Sequence, residues 1–309
     1  MKIGVCTDLK RVVINGATSM IGIALIEECI KNNINVVGLV RSNSLKTHLI
    51  PNSNLVSIYE CDLNNIDDFN NNNIEDCDVF FHIAWSYTDH LGRNDPYLQY
   101  TNIKSTLDSV KLAKNLGCTK YIGVGSQAEY NFNSDNKINP YTSYGVCKYA
   151  SSILAQTLAD QLDIGFVWTR IFSVYGINDN KSTLIMYLID QLLKAKKPLL
   201  TKCEQRWDYL FSQDCGRALY LIGEFGKNKS IYDIGSGKAH PLIEYVLILR
   251  NLIDSNLELG IGEKEYNNNQ IMNLCADISN LTEDTGFVPN VSFNNGIRQT
   301  IDWYKNVVL

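Results

Sequence analysis

The sequence predicts an α/β fold: a doubly wound parallel sheet with a smaller C-terminal lobe interleaved with it. Three observations carry this. Short apolar runs alternate with longer helical patterns as far as Tyr175-Gly176. The first run passes through a glycine-bearing turn directly into a helix. Beyond residue 177 the alternation loosens and the elements shorten.

The elements follow in order. Arg11–Asn15 is an apolar run of strand length, and Met20–Lys31 follows it with helical periodicity. Asn35–Val40 reads as a second strand and residues 55–59 as a third. Residues 78–84 form a fourth, followed by a helix over Pro96–Asn115. Residues 120–124 are a fifth strand, 142–160 a helix, and 164–171 a sixth strand. This spacing suits a parallel sheet covered on both faces. Residues 184–195 and 214–223 then read as helices, and 207–211 and 230–234 as strands. Short helices and loops follow, ending in an amphipathic helix over 293–306. We expect a dinucleotide-binding core over 1–177, joined by roughly 203–238, with the rest of 178–309 forming the second lobe.

Composition narrows the function. The chain has 309 residues, 45% hydrophobic and 20% charged, with a net charge of -5. These values suit a globular protein with a large core and give no basic footprint for nucleic acid. No apolar run reaches membrane-spanning length, so no membrane insertion is expected. Residues 1–8 are too short and too quickly acidic for a secretory signal. The nine cysteines (Cys6, Cys29, Cys61, Cys77, Cys118, Cys147, Cys203, Cys215 and Cys275) are odd in number and lack Cys-x-x-Cys spacing. A reducing cytoplasm fits them, and neither a disulfide framework nor a zinc site is expected. His48, His82, His90 and His240 form no ligand cluster. The asparagine runs at 70–73 and 267–269 read as solvated loops.

Chemistry concentrates at Tyr144-Gly145-Val146-Cys147-Lys148, with Ser126 upstream. On a helix Tyr144 and Lys148 lie one turn apart on one face. An ammonium beside a phenol favours the phenolate and lowers its pKa from about 10. Such a tyrosine exchanges a proton with an alcohol or ketone near neutral pH. Ser126, at a predicted strand end, is placed to hold the same oxygen. Among 17 tyrosines, about one Tyr-x-x-x-Lys is expected by chance, so position must decide. A second copy, Tyr100 to Lys104, precedes the serine strand and is taken as a decoy. Cys147, inside the Tyr-Lys turn, is read as a packing residue.

Gly16-Ala17-Thr18-Ser19-Met20-Ile21-Gly22 joins the first strand to the first helix. Glycine there admits a pyrophosphate to the helix N-terminus. Ser19 stands where the middle glycine of such turns usually falls, and it is expected to donate to phosphate; an ordinary strand-helix turn is the alternative. No acid occurs between Asn35 and Ile58, where ribose-binding carboxylates usually lie. Arg41, helped by Ser42, suits a 2′-phosphate, so NADPH is preferred over NADH; a solvated surface cation is the other reading. Asp62, followed by Leu63, suits either an adenine contact or a plain turn. Ala84 and Ile171 fall at strand ends facing the expected cofactor, and Trp85, Gln127, Ser173 and Arg206 are candidates for substrate.

Taken together these residues resemble the extended short-chain dehydrogenase/reductases. The glycine turn, Asp62-Leu63, Phe81-His82-Ile83-Ala84, Ser126 and Tyr144/Lys148 follow that family's order. Arg170-Ile171-Phe172-Ser173-Val174-Tyr175-Gly176, Arg206-Trp207-Asp208-Tyr209-Leu210, Tyr232-Asp233-Ile234-Gly235-Ser236-Gly237 and residues 296–304 extend the match over nearly the whole chain. The resemblance implies a Rossmann-type fold and a nucleotide-sugar substrate. It implies Tyr144 as acid/base, Ser126 as orienter of the substrate oxygen, and Lys148 as the group that lowers the tyrosine pKa and holds the nicotinamide ribose. Asn102 falls in the family's Asn-x-x-Gly-Thr stretch. Arg206, then Arg298, are candidates for the diphosphate, with surface ion pairing as the alternative. Residues 267–270 replace an arginine that many relatives carry. A homodimer through helices 96–115 and 142–160 is also implied.

Absent groups select the reaction. Gln127 and Ala128 occupy the positions where sugar 4,6-dehydratases of this family carry Asp-Glu. Ala128 also occupies the cysteine position of GDP-fucose synthases, which couple epimerisation to reduction. A 4-ketoreductase or a 4-epimerase remains, each needing only Ser126, Tyr144, Lys148 and hydride. Arg41 favours the reductase, which replenishes its cofactor each cycle. The resemblance is greatest to reductases of dTDP-4-keto-6-deoxyglucose that make dTDP-fucose-type sugars for surface polysaccharides; CDP-linked dideoxyhexose reductases come second. A dinucleotide-binding sensor without turnover is the non-enzyme alternative.

Overall fold

A computed structural model of the chain describes residues 9–69, 72, 74–89, 91–131, 137–267 and 270–307. Cys6, His90, Asn70, Asn71, Asn73, Asn268 and Asn269 lie outside the described residues.

Seven parallel strands form one sheet. They are β1 (Arg11–Asn15), β2 (Asn35–Val40), β3 (Val56–Glu60), β4 (Val79–His82), β5 (Lys120–Ser126), β6 (Gly165–Ile171) and β7 (Ile231–Ile234). Their order across the sheet is β7-β6-β5-β4-β1-β2-β3. The chain reverses its direction of growth between β1 and β4, which pair from Val12↔Val79 to Asn15↔His82. A ligand crevice is expected outside the strand ends at such a point.

The strands are apolar on both faces because both faces are covered. Helices α1 (Met20–Lys31) and α5 (Ser212–Phe225) contribute Leu25, Ile26, Leu219 and Ile222 to a core against Ile14 and Val167. On the other face α2 (Pro96–Asn115) and α3 (Ser143–Gln161) contribute Val110, Leu112, Ala155 and Ala159 against Phe80 and Tyr121. The rings of Phe80, Tyr121, Phe166 and Trp168 stack across β4, β5 and β6 at centroid separations of 5.8–6.1 Å. A third cluster joins α4 (Leu184–Leu193), α6 (Leu242–Ile253) and α7 (Phe293–Val307) through Ile189, Leu249 and Ile297.

Most elements lie within a residue or two of their predicted bounds, with two informative departures. Residues 207–211 are not one strand. Arg206–Trp207 pairs antiparallel with His240–Pro241, while Tyr209–Phe211 pairs parallel with Ser173–Tyr175. Between them Asp208 turns inward and accepts from Ser236 N, Gly237 N and Ala276 N. The other departure is α6, a 12-residue helix where short helices and loops were expected. The eight described cysteines are free, and only Cys275 is exposed. Among the described residues no helix is long and apolar enough to cross a membrane, and no cluster suits a metal ion.

Candidate active site

The crevice begins at the turn after β1. Gly16 has φ +90°, and a Cβ there would lie 2.7 Å from Ala84 N. Only glycine lets this turn press against the end of β4. First-turn amides such as those of Met20 and Ile21 have no partner inside their own helix. Ser19 is the N-cap of α1: its Oγ accepts from Gly22 N at 3.0 Å and donates to Gly16 O at 2.8 Å. In this arrangement the Ser19 hydroxyl shapes the turn at the mouth of the cradle. The cradle, its helix N-terminus and the backbone approach to Ala84 fit a dinucleotide pyrophosphate.

At the far side of β2, Arg41 and Ser42 are exposed. Ser42 borders a cleft lined also by Tyr59, Glu60, Asp62 and Asp68. Asp62 caps the 3-10 turn Leu63–Asp68, accepting from Asn64 N at 2.9 Å. Leu63 is half-buried behind it.

Ser126, Tyr144 and Lys148 converge at the C-terminal end of β5. Ser126 is the last residue of the strand and is buried. Its Oγ accepts from Ala128 N at 3.2 Å, and its side chain lies near enough to the Tyr144 phenol to favour the phenolate. Thr142 caps α3, accepting from Gly145 N, and so starts the helix that carries Tyr144 and Lys148. Lys148 is 2% exposed. Its ammonium donates to Val124 O at 2.6 Å and lies 3.7 Å from the Trp85 ring centroid.

The electrostatics differ from the expectation. Burial pushes the Tyr144 phenol above its ordinary pKa; Arg93 and then the Ser126 hydrogen bond pull it back, while Glu129 pushes it further up. The Lys148 ammonium is 5.9 Å from the Tyr144 ring centroid and is committed to Val124 O. Its own pKa is lowered to about 7 by burial, with Glu129 opposing and Arg93 adding to the shift. The cation nearest the phenol is therefore Arg93, not Lys148. The second Tyr-Lys pair is a surface feature: Tyr100 is exposed, and Lys104 pairs with Asp67 and Asp108.

Two supporting groups were not singled out from sequence. Glu129, fully buried, accepts from Ser126 N (3.0 Å), Trp168 Nε1 (3.1 Å) and Arg170 Nε (2.8 Å). The pattern Ser126-x-x-Glu129 is a capping box and carried the signal. Gln99, also fully buried, accepts from Trp85 Nε1 and donates to Tyr87 O and Gly92 O. Asn102 clamps Ser86 through both backbone atoms. His82 is buried and held neutral, its pKa pushed down to about 3 by burial and then by Lys148.

On the substrate side, Ser173 Oγ accepts from Trp207 Nε1 at 2.7 Å. Gln127 presents a buried Oε1 with no hydrogen-bond partner. Ile171 ends β6 and is buried. Arg206 is exposed and donates to Ala239 O. Arg298 bonds Asn294 on its own helix.

The low pKa of Lys148 has a consequence for stability. Between about pH 7 and 10.5 the unfolded chain holds a proton on this lysine that the folded chain releases. Folding stability contributed by this group therefore rises with pH across that window. In urea titrations, Lys148→Met should gain most over the wild type below pH 7, with the gap closing towards pH 10.5. A gap that is constant with pH would contradict a buried, depressed lysine.

A model of the NAD dependent epimerase/dehydratase family matches residues 12–235. CDP-abequose synthase of Salmonella typhimurium is 28% identical over 312 residues, covering 96% of this chain and 99% of that protein. A putative UDP-glucose 4-epimerase of Methanocaldococcus jannaschii is 23% identical, covering 96% and 98%. Among solved structures, a UDP-N-acetylglucosamine 4-epimerase from Methanobrevibacter ruminantium superposes with a TM-score of 0.85 at 22% identity, covering 96% and 98%. The Bordetella bronchiseptica enzyme WbmF in complex with NADH gives 0.81 at 18%, covering 97% and 93%. The family match spans the sheet and the whole catalytic centre, and the chain belongs to the NAD dependent epimerase/dehydratase family.

Proposed function

We propose that this enzyme reduces the C4 ketone of a nucleoside-diphosphate 4-keto-6-deoxyhexose, using NADPH. One observation carries the reading. Ser126 and Tyr144 stand together at the strand ends, and Gln127 and Ala128, which follow the serine, transfer no proton. The site holds the means to protonate one oxygen and lacks the added acid and base that elimination requires.

Hydride for C4 comes from a nicotinamide cofactor bound in the crevice. The chain supplies the rest. Tyr144 gives its proton to O4 as negative charge develops there, and Ser126 holds the same oxygen by a hydrogen bond. Lys148 meets the ribose beside Tyr144. Trp85, packed edge-on against Tyr144 at 6.0 Å, limits water at the reacting atoms. Within residues 178–309 the lobe outside 203–238 receives the nucleotide sugar, with Arg206, at its edge, placed for the diphosphate.

NADPH rests on Arg41 and Ser42. The carboxylates of Glu60, Asp62 and Asp68 in the adjoining cleft favour a ribose without a further phosphate. They are the observation behind a second reading, a nucleotide-sugar 4-epimerase that retains NAD. For the nucleobase, the sequence motifs favour a dTDP-linked substrate giving a dTDP-fucose-type sugar. The end-to-end likeness to a CDP-abequose synthase supports a CDP-linked ketosugar as the alternative.

The test is oxidation of NADPH, followed by absorbance, with dTDP-4-keto-6-deoxyglucose and its CDP-linked counterpart, and NADH in parallel. Turnover should prefer NADPH, and Tyr144→Phe should lower it about 10²- to 10⁴-fold while cofactor binding persists. Folded protein that oxidises neither cofactor, yet interconverts C4 epimers with NAD bound, would replace the reductase by the epimerase.

We also propose a homodimer through α2 and α3, which expose Tyr97, Tyr100, Val146, Ile153 and Leu154. Sedimentation should give twice the chain mass of 34.9 kDa; a monomer at assay concentration would contradict it.

A further inference from the structure

We propose that Arg93 is a positioning residue for Tyr144. Its guanidinium, laid against the phenol ring by the loop between β4 and α2, fixes that ring and favours the phenolate formed when the hydroxyl gives up its proton. The chemical role rests on Tyr144 as the acid; the electrostatic effect does not.

The geometry is specific. Arg93 Cζ lies 4.2 Å from the Tyr144 ring centroid, within cation–π range. Such a contact favours a ring that carries negative charge over a neutral one, because the cation then meets a full charge as well as a quadrupole. Lys148, the cation that the Tyr-x-x-x-Lys spacing points to, is farther from the ring and faces Val124 O and Trp85.

Arg93 is exposed, and the loop that carries it is tied at several points. Gln99 holds the backbone at Tyr87 and Gly92. Asp89 accepts from Leu91 N and Gly92 N, and its backbone carbonyl accepts from Arg93 N. Ser143, the residue before Tyr144, donates from Oγ to Asn94 O at 3.0 Å. The loop is thereby fastened to the first turn of α3 at Asn94, next to Arg93, and to α2 through Gln99.

The other groups acting on the phenol are accounted for. Ser126 favours the phenolate from β5, and Glu129 opposes it from the turn that follows. Lys148 lies one turn along its own helix, and Trp85 is neutral. Burial raises the phenol pKa, and Arg93 is the largest opposing influence.

The test replaces the tyrosines with 3-fluorotyrosine, which titrates at lower pH, and follows 19F NMR of the protein without ligand. The signal missing in Tyr144→Phe identifies Tyr144. Arg93→Gln should raise its titration midpoint by roughly half a unit to one unit, the size of a cation–π contact on this scale. Arg93→Lys should fall between Arg93→Gln and the wild type. The remaining fluorotyrosine signals should hold their positions, marking an intact fold. An unchanged midpoint in Arg93→Gln would overturn the proposal. Should Tyr144→Phe instead keep full turnover while the midpoint shifts, the assignment of Tyr144 as the acid fails and the Arg93 contact stands.

Discussion

The carboxylate of Glu129 sits behind the end of β5 with no solvent contact, shared among three donors on two strands. It fixes Ser126 N on β5 and two side chains of β6, the Trp168 indole and the Arg170 guanidinium. A buried ion pair of this kind gives little net stability, but loss of one partner leaves an uncompensated charge, typically at a cost of about 3–5 kcal/mol. The pair therefore acts as a constraint on geometry. Arg170 extends it to the Tyr130 hydroxyl, and Tyr130 to Asp233 on β7. Burial lifts Asp233 to about 6, with Arg170 and Tyr130 opposing. The ends of three neighbouring strands are held by one connected set of polar groups, and Ser126 stands at its head.

Tyr144 is placed by close packing. A Cβ on Gly145 would lie 2.1 Å from Ala128 O, so glycine alone lets the first turn of α3 reach the turn after β5. That approach brings Tyr144 to Ser126. Farther along α3, Lys148 reaches back under β5 to Val124 O. Arg93 then closes the ring from the loop side. Each catalytic group is thus set by a separate part of the fold, and the strand ends bring them together. The cofactor cradle obeys the same logic at Gly16 and Ala84.

The sheet and its flanking helices were legible because each is an apolar run of characteristic period. Arg11–Asn15, Met20–Lys31, Asn35–Val40 and Pro96–Asn115 have their predicted bounds. Ser126, Tyr144 and Lys148 were legible because their spacing and order survive translation into one strand end and one helix turn. What escaped depends on contacts between distant residues. Asp208 splits residues 207–211 by binding three amides far along the chain, which no local pattern encodes. The helix Leu242–Ile253 is apolar on nearly every side, so its period is faint. Arg93 lies in an aperiodic loop and gives no signal. That the Ser19 hydroxyl caps its own helix was not legible, because the sequence does not show which way a hydroxyl turns. Nor was the contact of Lys148 with Val124 O, because helical spacing fixes a face, not the direction of a long side chain.

The central claim is that this site reduces one carbonyl and moves no other proton on the sugar. Supplying reduced cofactor deuterated at the transferred position, in ordinary water, and reading the sugar product by NMR tests it most directly. The account predicts one deuterium at C4 for each cofactor oxidised, and no solvent exchange at C3 or C5 when the experiment is repeated in heavy water. Deuterium absent from C4, or solvent deuterium at C3 or C5, would contradict it.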